Sequence, residues 1–232
     1  MIKRTVETKK RTLEGIVVIN KPTGMTSHDV VNRVRRTFKM KRVGHAGTLD
    51  PLATGVLVML LGQATKLFPK FEAFDKAYRA TLILGKRTDS ADIQGKLLEE
   101  KPFEHITHDQ VENILKEFVG AIEQVPPMVS ALKMNGKRLY QLARQGIEVK
   151  REPRKIRIDK LELVDFHPPR VTFYLECSKG TYVRKIAEDV GERLGCGACI
   201  DEIERTKVGP FVIESAVGLD QLTEQDVQSW RG

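Results

Sequence analysis

Residues 44–55 read Gly-His-Ala-Gly-Thr-Leu-Asp-Pro-Leu-Ala-Thr-Gly and run straight into Val56-Leu57-Val58-Met59-Leu60-Leu61. The apolar run has no helical spacing and is too short for a helix of ordinary length. It reads as a strand buried on both faces. The twelve residues before it cannot be regular structure. Glycines punctuate them, and Pro51 pushes Asp50 toward an extended conformation. The pair is therefore a shaped loop fixed to a core strand, a rigid mount for one carboxylate. Locally, a plain Asp-Pro turn fits the residues as well.

Periodicity places the other elements. Gly15–Asn20 is a short apolar strand stopped by Lys21-Pro22. Thr26 to Asp29 has the form of a helix start, and Val30, Val31, Val34 and Phe38 follow at helical spacing. Thr107 and Gln110 form a capping box ahead of Val111, Ile114, Leu115 and Phe118, with Gly120 closing that helix. Tyr78–Gly85 and Val171–Cys177 are rich in strand formers. Gly180-Thr181-Tyr182-Val183-Arg184 opens a helix with Ile186, Ala187, Val190 and Leu194 on its apolar face. Asn135-Gly136 marks a tight turn inside a basic, proline-flanked excursion from about Gln124 to Pro153. Strands and helices alternate irregularly without repeats, which predicts one α+β domain of residues 15–232 behind a basic tail, residues 1–14.

Charge narrows the partner. The 232 residues carry 39 Lys plus Arg against 31 Asp plus Glu, net +8, which favours a polyanion. The cations are grouped. Arg33, Arg35, Arg36, Lys39, Lys41 and Arg42 precede the Asp50 loop, and a second set runs from Lys133 to Arg157. No apolar run is long enough to span a bilayer, and no signal peptide is recognisable, so a cytoplasmic protein is expected. Cys177, Cys196 and Cys199 are an odd count suited to a reducing compartment. Cys196-Gly197-Ala198-Cys199 has CxxC spacing, but no second pair or paired histidines complete a zinc set.

The sequence holds no GxSxG elbow, phosphate-binding loop, dinucleotide fingerprint or HExxH. A single working carboxylate fits, with an arginine to keep it ionised. Arg184, at a glycine-led helix start, is the candidate partner; a surface arginine is the other reading of that residue.

Eight segments then resemble the TruB family of bacterial tRNA pseudouridine synthases, in the family's order: 15–27, 44–57, 76–84, 85–95, 126–139, 143–149, 177–184 and 194–198. The resemblance implies a pseudouridine synthase fold, with a mixed, largely antiparallel sheet flanked by helices. It implies isomerisation of the T-loop uridine of tRNA (position 55) to pseudouridine, without cofactor or metal. Asp50 is then the catalytic aspartate and nucleophile, Tyr78 contacts the target base, and Arg184 pairs with Asp50. His45 helps hold the displaced loop, and Tyr182 and Ile203 line the uridine pocket. Lys21 and Lys133 fall in segments implied to bind RNA. The basic excursion becomes a flexible thumb of about residues 124–153. The expected partner is the tRNA T arm, met by a monomer, and the length leaves no room for a C-terminal RNA-binding domain of the PUA type. Two alternatives stand beside this: an RNA-binding or tRNA-folding protein with incidental chemistry, and a guide-RNA-dependent synthase acting on ribosomal RNA. The residues do not choose between a covalent route through Asp50 and a route through sugar deprotonation.

Overall fold

A computed structural model describes residues 13–230 apart from 131, 135 and 144; the side chains of Lys133, Lys137 and Arg138 also lie outside the description, as does most of the expected N-terminal tail. Strand β1 (Gly15–Lys21) leads to helix α1 (Ser27–Thr37), the short β2 (Val43–His45) and β3 (Thr54–Leu61). Helix α2 (Phe68–Glu72) and β4 (Lys76–Leu84) follow, then a hairpin of β5 (Lys86–Thr88) and β6 (Leu97–Glu100). Helix α3 (His108–Glu117) precedes β7 (Gly120–Gln124). The chain then leaves the sheet for β8 (Lys133–Met134), β9 (Lys137–Arg138) and α4 (Leu139–Ala143). It returns as β10 (Arg154–His167) and β11 (Arg170–Cys177). Helix α5 (Val183–Arg193), β12 (Ala198–Val208), β13 (Phe211–Val212) and β14 (Val217–Gly218) complete it.

Ten strands form one sheet in the order β14-β1-β3-β12-β4-β11-β10-β7, with β13 paired to β12 and β2 to β3. Only β1–β14 and β3–β12 are parallel, so the sheet is mixed and mostly antiparallel. Strand β3 shows why its sequence is apolar throughout. Leu57, Met59 and Leu61 join a core cluster with Val30, Val31 and Val34 of α1, Val111 and Leu115 of α3, and Ile186 and Val190 of α5. Val56, Val58 and Leu60 join the opposite cluster with Phe71 and Phe211. Alternate residues enter opposite layers because a strand repeats every two residues.

The helix starts are those the caps predict. Asp29 N–H donates to the Thr26 hydroxyl at 3.1 Å, and Thr26 N–H returns a bond to the Asp29 carboxylate at 2.9 Å. Thr107 and Gln110 make the same reciprocal pair at α3. Strands β8 and β9 pair across the expected tight turn, whose Asn135 lies outside the described residues.

Of the strands longer than four residues, three were not legible: β7, β10 and β12; nor were the short β2, β5, β6, β13 and β14. Strand β10 hid behind its cations. Ile156, Ile158 and Leu161 are its buried residues, and a register shift between Ile158 and Lys160 breaks their alternation. Strand β12 carries six polar residues in eleven and has register shifts at Ile200/Glu202 and Arg205/Lys207. Each bulge changes which parity faces inward, so no period-2 pattern survives in the sequence.

Candidate active site

Asp50 lies in the loop between β2 and β3, and its backbone is braced from two sides. From the start of α1, the buried Ser27 hydroxyl donates to Leu49 O at 3.1 Å and accepts from Leu49 N–H at 2.8 Å. Gly24 N–H donates to Pro51 O at 2.8 Å, and Thr23 Oγ1 donates to Leu52 O at 3.1 Å. From β12, the Arg205 guanidinium donates to the carbonyls of Val56 (2.8 Å), Gly47 (3.2 Å) and Thr48 (3.4 Å). Gly55 lets the two strands meet. Its φ is +95°, and a Cβ there would lie 2.3 Å from Arg205 O.

Arg184, on the first turn of α5, reaches Asp50. Its Nε donates to Asp50 Oδ2 at 2.8 Å, Nη1 to Ser90 O at 2.6 Å, and Nη2 to Val129 O at 2.8 Å. Asp92 Oδ2 lies 3.7 Å away. The arginine side chain is 5% exposed and the aspartate 44%, so the pair has a fixed cation and a carboxylate open to a ligand. Asp92 also accepts from Ser90 Oγ and Gln94 N–H, so it anchors a turn and faces an arginine partner.

Asp50 and Arg184 line a cavity of about 490 Å³ shared with Tyr78, Tyr182 and Ile203, a volume within the usual range for ligand sites. Five further cations line it: Lys76, Arg154, Lys155, Lys179 and Arg205. Tyr78 is nearly buried on β4, and loss of hydration pushes its phenol up to about 12, with the neighbouring Arg205 partly opposing. Tyr182 caps α5. Its backbone is gripped by the buried Gln124 amide, which accepts from Tyr182 N–H at 2.8 Å and donates to Tyr182 O at 3.1 Å.

One expected residue is placed differently. Lys21 is fully buried, with its ammonium bonded to the carbonyls of Pro22 (2.8 Å), Met25 (2.7 Å) and Pro51 (3.4 Å). Burial lowers it to about 8, partly opposed by Asp50. It braces the Asp50 loop from beneath and presents no charge at an RNA surface. His45, expected to help hold the displaced loop, ends β2 and is half-buried. The Lys133 side chain lies outside the described residues. The three cysteines are buried and free, and burial pushes Cys177 to about 12 and Cys199 to about 11. No helix among the described residues is long and apolar enough to cross a membrane.

Arg205, Lys76, Ser27 and Gln124 were not singled out from sequence. Arg205 is 1% exposed, and its position on a bulged, charged strand gave no sign of that. Ser27 carried a faint signal, a second hydroxyl directly after a helix cap.

The chain matches two family models: the N-terminal domain of TruB family pseudouridylate synthases over residues 35–183, and the C-terminal domain of tRNA pseudouridylate synthase B over residues 184–230. The second contributes Arg184, Ile203 and Arg205 to the same cavity. Among similar proteins, the tRNA pseudouridine synthase B of Syntrophotalea carbinolica is 50% identical over 210 residues, covering 90% of this chain and 69% of the relative. That of Heliobacterium mobile is 50% identical over 218 residues, covering 93% and 71%. That of Opitutus terrae is 46% identical over 213 residues, covering 92% and 88%. Among solved structures, a chain of a Cbf5-Nop10-Gar1 complex superposes with a TM-score of 0.73 at 27% identity; the match covers 94% of this chain and 60% of that one. With more than half its length matched by the family's N-terminal model and relatives at half identity over most of both chains, this chain belongs to the TruB family of pseudouridylate synthases.

Proposed function

We propose that the chain converts the T-loop uridine of tRNA to pseudouridine, with Asp50 as the reacting carboxylate. The observation that carries this is the pairing of the half-exposed Asp50 with the buried Arg184 at the mouth of a cavity walled by Tyr78, Tyr182 and Ile203. The reaction breaks the bond from C1′ to N1, turns the base, and forms a bond from C1′ to C5. The C5 proton leaves and N1 gains one, so nothing is oxidised or consumed. A carboxylate suits either route: attack as a nucleophile, or removal of a sugar proton.

The target must leave its stack to be reached, and pocket contacts offset that cost. Tyr78 and Ile203 give the extruded pyrimidine an apolar wall, and the Tyr182 ring adds a second aromatic surface. Arg184 holds Asp50 in one orientation and leaves its carboxylate reachable. The excursion between β7 and β10 acts as the thumb. Its Val129 carbonyl is already bonded to Arg184, and Ser130 lines the cavity, so closure of this segment on RNA would act directly on the Asp50 partner. Excluding water there protects a cleaved intermediate.

The relatives at half identity act on tRNA by name, which favours tRNA over the guide-RNA alternative. Release of tritium from C5-labelled uridine in a T-arm hairpin tests the assignment. Asp50→Asn is expected to abolish release while changing hairpin affinity by less than about tenfold. Undiminished release by this variant would remove Asp50 from the chemistry; a wild type that binds without releasing tritium would favour the binding-protein reading.

A further inference from the structure

The buried charge around this cavity does not balance. Lys21, Lys76, Arg184 and Arg205 are each at most 8% exposed, against one equally buried carboxylate, Asp92, and the half-exposed Asp50. Arg184 takes both carboxylates. Among the described residues, no carboxylate oxygen lies within 4 Å of Lys21, Lys76 or Arg205; their bonds go to backbone carbonyls, and Arg205 also meets the neutral Tyr78 hydroxyl. A buried cation without a counter-charge is costly, and carbonyl dipoles repay only part of the lost hydration.

Two of these cations face the cavity. Lys76 starts β4 and donates to Glu72 O and Phe74 O, which leaves one of its three ammonium protons unused. It sits opposite Cys177, the end of β11, from which the chain runs on to Lys179. Arg154 and Lys155 start the adjacent β10. The sheet thus gathers Lys76, Arg154, Lys155 and Lys179 at the end of the cavity lined also by Arg205, with exposed Glu72 as the one carboxylate there that lines it. The side chains of Arg154, Lys155 and Lys179 are exposed and have no ion-pair or hydrogen-bond partner among the described residues, whereas that of Arg157 is tied to Asp75 and Asp159. The cavity has two chemically distinct ends: an acid held by a guanidinium, and a group of uncompensated cations.

We propose that the cationic end is a phosphate subsite: Lys76, backed by Arg205 and edged by Arg154, Lys155 and Lys179, holds one phosphodiester directly flanking the extruded uridine. The inference rests on the RNA-isomerase reading, because the phosphodiester is the permanently ionised group that an RNA chain carries. A lysine serves it as a point charge. The nucleotide then lies with its sugar and base toward Asp50 and one flanking phosphate toward Lys76.

The test uses T-arm hairpins in which the phosphate on the 5′ or the 3′ side of the target uridine is replaced, one at a time, by a neutral methylphosphonate. Lys76→Gln is expected to lower kcat/KM about tenfold on all-phosphate RNA, through KM more than kcat. On one of the two neutral-linkage RNAs the wild type should lose a similar factor and the variant should lose nothing more. Lys155→Ala and Lys179→Ala, at exposed positions that cannot unfold the chain, should each lose about threefold and become silent on that same RNA. Full-sized penalties on both neutral-linkage RNAs, or none on natural RNA, would overturn the subsite. Hairpin affinities across the same set read it independently of turnover, so a wild type without isomerase activity would defeat the functional reading and leave the phosphate question to the binding data.

Discussion

Arg184 carries three jobs on one planar group. It orients Asp50, ties the Ser90 turn to α5, and holds the thumb through Val129. A guanidinium has donors on three nitrogens in a fixed fork; an ammonium is a single point. Arg184→Lys keeps the charge yet cannot span the three acceptors. It is expected to lower kcat by about 100-fold with a smaller change in KM, and to lower the melting temperature by several degrees. Steady-state kinetics and a thermal melt check it, and an unchanged kcat would show that the fork is dispensable. The pairing of Asp50 with Arg184 was approachable from sequence because each sits beside its own local signal, a glycine-bounded Asp-Pro and a glycine-led helix start. Arg205 had no such signal. Its burial depends on Gly47, Thr48 and Val56 offering carbonyls across some 150 positions of sequence, which only the folded sheet brings together.

Among the elements, the join between β3 and β12 decides where the site sits. These strands run parallel and pair at Thr54–Glu204 and Gly55–Arg205, and that contact delivers Arg205 beneath the Asp50 loop. The space for a side chain at residue 55 is occupied by the Arg205 backbone. Gly55→Ala is therefore expected to destabilise the fold by about 3 kcal/mol through strain and forced separation of the strands. Its urea midpoint should fall at unchanged slope; a midpoint equal to wild type would mean the strands can part without loss. Helices α1 and α3 were readable because their caps and apolar stripes are local. Strand β12 was not, since its two bulges change the inward parity and its one buried cation, Arg205, sits among charged neighbours that face solvent.

Across the whole molecule, the surplus of eight positive charges matters less than which cations remain unpaired. Within the block before the Asp50 loop, Arg33 pairs with Asp220, Arg35 bonds Val43 O, and Arg42 bonds Thr65 and Gln63. Those side chains hold the protein itself together. Lys155 and Lys179 at the cavity rim have no such partner. Lys179→Ala is expected to reduce the slope of log affinity against log salt by about 1, and Arg157→Ala, already tied to two aspartates, to leave it unchanged. Equal slopes for the two variants would mean that RNA contact is spread over the surface without regard to pairing. Sequence by itself determined the family, the apolar centre of the sheet, the capped helices and the loop that carries Asp50, because each is written in contiguous residues. The tertiary structure alone decided the rest: that Lys21 is an internal brace, that Arg205 and Lys76 lie under the cavity, and that its charge is left unbalanced. Burial and charge compensation depend on which distant carbonyls and carboxylates arrive at the same place, and no stretch of chain records that.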